Sequence, residues 1–171
     1  PSRQLTVFRD GIQVGGTPPP PPPPPPILAI PVNAFRGEYY DNQDFTNLKV
    51  RRIDAALNFN WGTGTPDASL QAESFTVRWE GYWDISAAGM YRFSATTDDG
   101  MRVWVDNASV IDAWVPQPAT LYTKDVSLAA GRHYIKVDYF EQTGNAVAQV
   151  AWAYVGPPPV PLPTAAFTRT P

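Results

Sequence analysis

Hydrophobic and polar residues alternate with a period of two over much of the middle of the chain. Between residues 75 and 85 the even positions are mostly polar, and the odd positions are Phe75, Val77, Trp79, Gly81, Trp83 and Ile85. Because successive side chains of a β-strand point to opposite faces of a sheet, this segment predicts a strand with its odd face buried. Similar alternation starts at Tyr91, Met101, His133 and Val150.

Turn-forming residues separate these segments, and no window of the sequence shows a helical period. The turns are predicted at Ala88-Gly89, Asp98-Asp99-Gly100, Asp106-Asn107, Ala130-Gly131 and Thr143-Gly144-Asn145. Short strands at this spacing, rich in aromatic residues, are typical of an antiparallel sandwich or barrel. The sequence therefore predicts an all-β fold.

Two clusters of proline divide the chain. Of its 171 residues 20 are proline, and nine of these run without interruption from Pro18 to Pro26. Such a run forms a polyproline II rod roughly 28 Å long, which is usually a stiff linker. We expect four parts: a β-hairpin-like arm or the end of an upstream domain at 1–17, a polyproline linker at 18–32, one domain at 33–156, and a proline-rich linker or tail at 157–171.

Charge and composition argue against several classes of function. A net charge of −3 and an isoelectric point near 5.0 do not suit nucleic acid, whose phosphates require a basic face. No run approaches the ~20 apolar residues that cross a bilayer, so we expect no membrane insertion. The absence of cysteine excludes disulfides and thiolate chemistry. His133 is the single histidine, and no serine or threonine has a partnered base, so we expect no catalytic activity.

Five segments resemble the PA14 domain family, the β-sandwich module of anthrax protective antigen, yeast flocculins and many bacterial surface proteins. They are FRGEYY at 35–40, FTVRWEGY at 75–82, YRFSATTDDGMRVWVD at 91–106, VIDAW at 110–114 and HYIKVDYFE at 133–141. They stand in the family's order and cover nearly all of residues 33–156. The resemblance implies an antiparallel β-sandwich flanked by the polyproline linkers.

Asp98 and Asp99 place two adjacent carboxylates at a predicted loop. Such a pair repels unless a cation or hydrogen-bond donors neutralise it, and clusters of oxygen ligands suit calcium. The alternative is a solvated turn in which one aspartate caps its own backbone. In sugar-binding members of the family, an Asp-Asp pair joined by a cis peptide holds a Ca²⁺ that coordinates sugar hydroxyls. The resemblance implies the same arrangement for Asp98 and Asp99.

The resemblance also implies that a later loop supplies further calcium ligands, and this loop corresponds to residues 141–146. Asn145 is the first choice for a side-chain ligand and Gln142 the second, with backbone carbonyls adding to either. Gly144 lies in the same loop, and we expect it to be a ligand-binding residue. Glu141 is expected to end its strand and to make structural bonds.

Trp114 lies in a loop-like stretch that approaches the same rim in the family. An exposed tryptophan there would stack on a sugar ring with its flat apolar face, whereas a partly buried one would only pack. Asp112 is expected to orient this loop through backbone bonds. Many relatives have a histidine shortly after this tryptophan, and this sequence has Val115-Pro116-Gln117-Pro118 instead.

Two functions from different classes fit these patterns. The first is a non-catalytic extracellular or cell-surface module that binds calcium and, through it, the glycans of a surface or matrix. The second is a structural subunit of an extracellular filament or surface layer. In that case the arm and tails would contact neighbouring copies of the protein and calcium would be purely structural.

Overall fold

The computed structural model describes residues 23 and 25–157, together with the backbone of two short strands that precede them. The strands are β1 (Val7–Arg9), β2 (Ile12–Val14), β3 (Phe35–Tyr40), β4 (Leu48–Asp54), β5 (Leu57–Gly62), β6 (Phe75–Ile85), β7 (Gly89–Asp98), β8 (Gly100–Val105), β9 (Ala108–Ala113), β10 (Thr120–Leu128), β11 (Gly131–Glu141) and β12 (Ala146–Gly156). In this part of the chain there is no helix of the length and apolarity needed to span a membrane.

Strands β3 to β12 form two antiparallel sheets. Six strands lie in the order β4-β3-β6-β11-β8-β9 and four in the order β10-β7-β12-β5. The inward side chains of both sheets meet in one hydrophobic core, so the predicted all-β sandwich is confirmed. β1 pairs with β2. The residues between these two strands lie outside the described part, as do most of the arm, most of the proline run and the tail after residue 157.

The period-two pattern places the core residues correctly for most strands. In β6 the side chains of Phe75, Val77 and Trp79 are fully buried, as their odd positions predict. The pattern fails at the end of β12, where Tyr154 is 51% exposed, although its ring packs against Tyr91 and Gly89. Burial decreases along β12 because its last residues extend beyond the packed interior.

A buried polar cluster ties the edge of the six-stranded sheet to its centre. The Asp54 carboxylate accepts hydrogen bonds from the Tyr39 hydroxyl at 2.6 Å, the Trp79 indole at 2.9 Å and the Arg52 guanidinium at 2.8 Å. These donors come from β3, β6 and β4. Since a buried carboxylate is stable only when its oxygens are satisfied, the cluster fixes the alignment of these three strands.

The connection between β7 and β8 carries the chain from one sheet to the other. Asp99 is the only residue between the two strands, and the Asp98–Asp99 peptide bond is cis. Gly100, the first residue of β8, pairs with Phe140 of β11. A Cβ atom on Gly100 would overlap the Phe140 ring, lying only 2.8 Å from its Cδ1 atom. Glycine is therefore required here by the close approach of an aromatic ring.

His133 lies beside the turn that joins β8 to β9. Asp106 and Asn107 both have positive φ, at 49° and 66°, as a two-residue hairpin turn with the right twist requires. The Asp106 carboxylate lies 2.6 Å from His133 Nδ1, and the Ala129 carbonyl lies 3.0 Å from Nε2. The alternation that starts at His133 predicts that its ring lies on the apolar-facing side of the strand, and this prediction is wrong, because both ring nitrogens face oxygen acceptors.

Protonation of His133 is favoured by these two acceptors. Burial lowers the pKa of the imidazole, but the bonds to Asp106 and Ala129 and the charge of Asp106 outweigh it and raise the pKa above its ordinary value. A histidine whose pKa is raised by folding stabilises the fold fully below about pH 6.5, and this stabilisation is lost as the pH rises through the folded-state value.

We predict that His133→Gln lowers the free energy of unfolding more at about pH 5.5 than at about pH 8.5, because only the imidazolium donates to both acceptors. Urea unfolding of both proteins at the two pH values measures this difference. Asp106→Asn serves as control and should flatten the same pH dependence. Parallel stability curves for wild type and His133→Gln would contradict the assignment.

Gly100→Ala is predicted to lower the free energy of unfolding by about 1–3 kcal/mol, the usual range for overpacking a filled site. Combining it with Phe140→Leu should cost less than the sum of the two single changes, since the smaller side chain makes room for the new methyl group. Additive effects in urea unfolding would show that the ring does not exclude a Cβ atom.

Candidate functional site

The candidate site lies at the end of the sandwich where the Asp98–Asp99 connection passes between the sheets. Asp98 is 8% exposed and Asp99 is 6% exposed, so this pair is not a solvated turn. The cis bond between them is the arrangement that the family resemblance implied. Two strand registers bring the later loop alongside, because Val147 pairs with Asp98 and Phe140 pairs with Gly100.

Asp99 fastens two loops to this end of the sandwich. Its Oδ1 accepts the Gln117 backbone N–H at 3.0 Å, and its Oδ2 accepts the Gln142 backbone N–H at 2.7 Å. The Gln117 side-chain amide also donates to the Asp99 carbonyl at 3.2 Å. The carboxylate of Asp99 thus fixes the distance between the loop after β9 and the loop after β11.

Asp98 carries a carboxylate that is poorly compensated. Burial and the adjacent charge of Asp99 raise its pKa, and a hydrogen bond from the Ala119 backbone offsets this only in part. The raised pKa means that the site disfavours the negative charge of Asp98 unless a positive charge is supplied.

Glu141 adds a third carboxylate behind the pair, and its side chain is completely buried. Burial raises the pKa of Glu141 to about 7, with further contributions from the charges of Asp99, Asp98 and Glu73, while a bond from Tyr139 opposes them. Its Oε2 lies 3.1 Å from the Tyr139 hydroxyl, which also donates to the Asp98 carbonyl at 2.5 Å. Its Oε1 has no hydrogen-bond partner within the described residues. Glu141 does end β11, as expected, but it also contributes to this acidic cluster.

Positive charge is absent from the immediate contacts of this cluster. Among residues 25–157, the ion pairs of lysine and arginine involve other carboxylates and none includes Asp98, Asp99 or Glu141. Three carboxylates with little or no solvent exposure therefore share one region without a cationic partner. Such an arrangement is costly unless the carboxylates are protonated or a cation binds.

The loop after β11 exposes oxygen donors next to Asp98 and Asp99. Gln142 and Asn145 are both exposed, and Asn145 immediately precedes β12. Gly144 has a φ of 105°, a conformation that favours glycine, and its N–H donates to Glu73 at 2.9 Å. The three sequence-predicted residues of this loop are therefore brought to the same end of the domain as the aspartate pair.

The chemistry of this donor set suits calcium better than a transition metal. In the described residues no three His, Cys, Asp or Glu side chains are grouped so as to hold a metal ion. Two carboxylates combined with amide and backbone carbonyl oxygens are nevertheless a donor set that calcium accepts, since it takes about six to eight oxygen ligands in flexible geometry. Asp98 and Asp99 would hold such an ion, with Gln142, Gly144 and Asn145 as the sources of neutral oxygens.

Trp114 is half-buried in an aromatic cluster beside this loop. Its ring meets the edge of Phe140 at 4.7 Å and lies nearly parallel to Phe45 at 6.2 Å. The Arg102 guanidinium lies 4.8 Å from the Trp114 ring centre. Asp112 binds Arg102 at 2.8 Å, so it acts on Trp114 through Arg102. Packing thus occupies much of the Trp114 surface.

A shallow pocket joins Trp114 to the aspartate end of the domain. It is lined by Gln43, Trp114, Pro116, Phe140 and Gln142. The Gln43 amide, from the β3–β4 loop, donates to the Glu141 carbonyl at 3.1 Å. The lining combines two amide side chains with three apolar residues, and the Gln142 backbone connects the pocket to Asp99.

Sequence reasoning missed the residues that position the pair. Gln117 was noted only as part of a departure from the family pattern, yet it binds Asp99 through its backbone and its side chain. The sequence did not identify Gln43 or Tyr139 as site residues either. The departure from the family pattern after Trp114 was the available signal for Gln117.

The comparisons with known proteins agree with this geometry. The sequence model of the PA14 domain family matches residues 32–160 of this chain. The chain is 40% identical over 122 residues to anti-sigma-I factor RsgI3 of Acetivibrio thermocellus, a match that covers 71% of this chain and 19% of that protein. This chain therefore spans about a fifth of that curated relative.

Solved structures show the same fold. An anti-sigma factor domain-containing protein is 37% identical with a TM-score of 0.68, over 76% of this chain and 50% of that one. A PA14 sugar-binding domain from an RTX adhesin is 20% identical with a TM-score of 0.54, over 72% of this chain and 90% of that one. The motifs, the sandwich and the matched residues lead to one conclusion: the chain belongs to the PA14 domain family.

Proposed function

We propose that this domain is a non-catalytic module that binds glycans through a calcium ion, outside the cell or at its surface. The observation that carries the proposal is the cluster of Asp98, Asp99 and Glu141, three carboxylates of low exposure without a cationic partner among the described residues. A divalent cation at the Asp98–Asp99 pair would remove the repulsion that raises the pKa of Asp98.

The positions of the neutral donors support the same ion. Gln142, Gly144 and Asn145 lie in one exposed loop, and Asp99 holds the start of that loop through the Gln142 N–H at 2.7 Å. Both carboxylates are thereby kept beside a source of amide and carbonyl oxygens, as calcium requires. A bound calcium ion would supply open coordination positions to the hydroxyl groups of a sugar.

The pocket beside the pair supports a sugar as the ligand. Gln43 and Gln142 offer amide donors and acceptors for hydroxyl groups, while Trp114, Phe140 and Pro116 offer an apolar surface for the C–H face of the ring. Because packing with Phe45 and Arg102 covers much of the Trp114 ring, we expect that ring to contact the sugar over part of its surface. A structural neighbour is itself a sugar-binding PA14 domain.

The relatives suggest where such a module is used. RsgI3 is an anti-sigma-I factor, and this chain matches 19% of its length at 40% identity. We propose as a second possibility that the domain is the ligand-binding part of a larger regulatory protein. The alternative of a filament or surface-layer subunit depends on contacts made by the arm and tails, which lie largely outside the described residues, and it stays a prediction.

Calcium is predicted to stabilise the wild-type protein by about 2.7 kcal/mol when present at 100 times its dissociation constant. Asp98→Asn, which keeps the shape of the side chain and removes its charge, should weaken calcium binding at least tenfold in titration calorimetry. Asp125→Asn is the matched control, because Asp125 pairs with Arg92 on an exposed surface far from the site. If Asp98→Asn binds calcium with the same affinity as the wild type, or if the wild type gives no heat of calcium binding, the proposed calcium site is wrong.

Glycan binding is predicted to require both calcium and the pocket. On a glycan array, wild-type binding should disappear with chelator, and Gln43→Ala should weaken sugar binding severalfold while leaving calcium affinity unchanged. Gln149→Ala is the matched control, because the Gln149 side chain bonds Asn58 within the four-stranded sheet and does not line the pocket. Binding that persists in chelator would contradict a calcium-mediated contact. Calcium binding without any glycan signal would reject the sugar claim alone.

A further inference from the structure

The segment that leads into the domain is seated on the outer side of the six-stranded sheet. Three of its carbonyl oxygens accept hydrogen bonds: that of Pro25 from Arg51 at 2.7 Å, that of Leu28 from Arg36 at 2.9 Å, and that of Pro31 from the Tyr82 backbone N–H at 2.9 Å. The three acceptors are spaced by three residues.

Burial along this segment follows the same spacing. Pro25, Leu28 and Pro31 are partly buried, whereas residues 26, 27, 29 and 32 are exposed, and Ile27 is 87% exposed. A polyproline II helix has three residues per turn, so every third residue lies on the same side. The segment therefore presents one side of such a helix to the sheet over two turns. Ile30 adds a contact in a depression formed with Tyr82 and Tyr134.

The donors on the sheet are held in place by carboxylates. Arg51 binds Glu38 through its Nε at 2.8 Å, which leaves Nη1 for the Pro25 carbonyl. Arg36 binds Glu80 through Nη2 and uses Nη1 for the Leu28 carbonyl. Because each guanidinium is a planar fork with several N–H groups, one edge can be fixed to the sheet while another binds the segment.

The chemistry of the two surfaces is complementary. A polyproline II helix has no internal hydrogen bonds, so its carbonyl oxygens are free to accept, and in residues 25–32 the three prolines, Pro25, Pro26 and Pro31, have no N–H. The sheet surface offers three donors to these carbonyls, two guanidinium groups and one backbone N–H, and the Tyr82 carbonyl accepts the Asn33 N–H that follows the segment. Its neighbouring carboxylates are occupied by the same arginines.

We propose that Arg36, Arg51 and Tyr82 form a receptor surface for a polyproline II helix, and that its occupant is the chain's own segment 25–32. The docked segment sets the direction in which the chain leaves the domain on its N-terminal side. Residues 25–32 thus form part of the surface of the domain.

Distance measurements between two spin labels on the full 171-residue chain test this proposal. The protein has no cysteine, so Ile27→Cys and Thr123→Cys create the only labelling sites, and both positions are exposed. Thr123 lies in the four-stranded sheet, on the other side of the sandwich. We expect a single narrow distance distribution, and at least a twofold broadening when Arg36→Gln and Arg51→Gln are combined.

Arg102→Gln combined with Arg132→Gln is the matched control, because both arginines pair with aspartates and neither bonds to residues 25–32. The control should keep the narrow distribution. If the Arg36/Arg51 variant does not fold, as judged by circular dichroism, Pro25→Gly combined with Pro26→Gly replaces it and should broaden the distribution likewise. A broad distribution in the parent protein, or an unchanged narrow one in the variant that is used, overturns the proposal.

Discussion

Asp99 sits where the chain crosses from one sheet to the other, and its two carboxylate oxygens each bind the main chain of a different loop. This places a negative charge at a point of 6% exposure, directly beside a second carboxylate and in front of a third. The backbone N–H groups compensate part of the charge of Asp99 and none of that of Glu141. The proposed function depends on how the negative charge of these carboxylates is balanced.

The sandwich creates that constraint through its registers. β11 lies at the centre of the six-stranded sheet, between β6 and β8, and it carries Tyr139 and Glu141 to the site end. β12 returns beside β7 in the other sheet, so the loop between β11 and β12 must pass the Asp98–Asp99 connection. The loop is therefore fixed at both ends by core strands, while its exposed residues remain available to a ligand. A rigid frame with exposed oxygen donors is the arrangement expected of a preformed ion site.

Much of the fold could be predicted from alternation alone, because burial on one face of a strand requires it. β6 runs from Phe75 to Ile85, as its odd positions predict, and Asp98-Asp99-Gly100 marks the change of strand. Alternation does not show which sheet a strand belongs to, so it could not predict that the chain crosses between the sheets at Asp99. The prediction from alternation also failed at Tyr154, because the end of its strand extends beyond the core. It failed at His133 because the ring nitrogens face nearby oxygen acceptors.

The candidate site was predictable only in part for a related reason. Asp98 and Asp99 were visible as a pair, and the loop with Gln142 and Asn145 followed from family resemblance. The contacts of Gln117 and Gln43 depend on distances between residues far apart in the chain, which no local pattern encodes. The docking of residues 25–32 was hidden for another reason, since the sequence of a linker is the same whether the linker is free or bound. Only the hydrogen bonds from Arg36 and Arg51 show that this segment is bound.

The most direct test of a calcium ion at the aspartate pair is a crystal structure of the wild-type protein grown with calcium, with anomalous data that locate the ion. We expect one strong peak about 2.3–2.6 Å from carboxylate oxygens of both Asp98 and Asp99, with further oxygens from the 142–145 loop completing the coordination. Full-strength density for both side chains with no ion between them at saturating calcium would contradict it, as would an ion bound elsewhere on the domain.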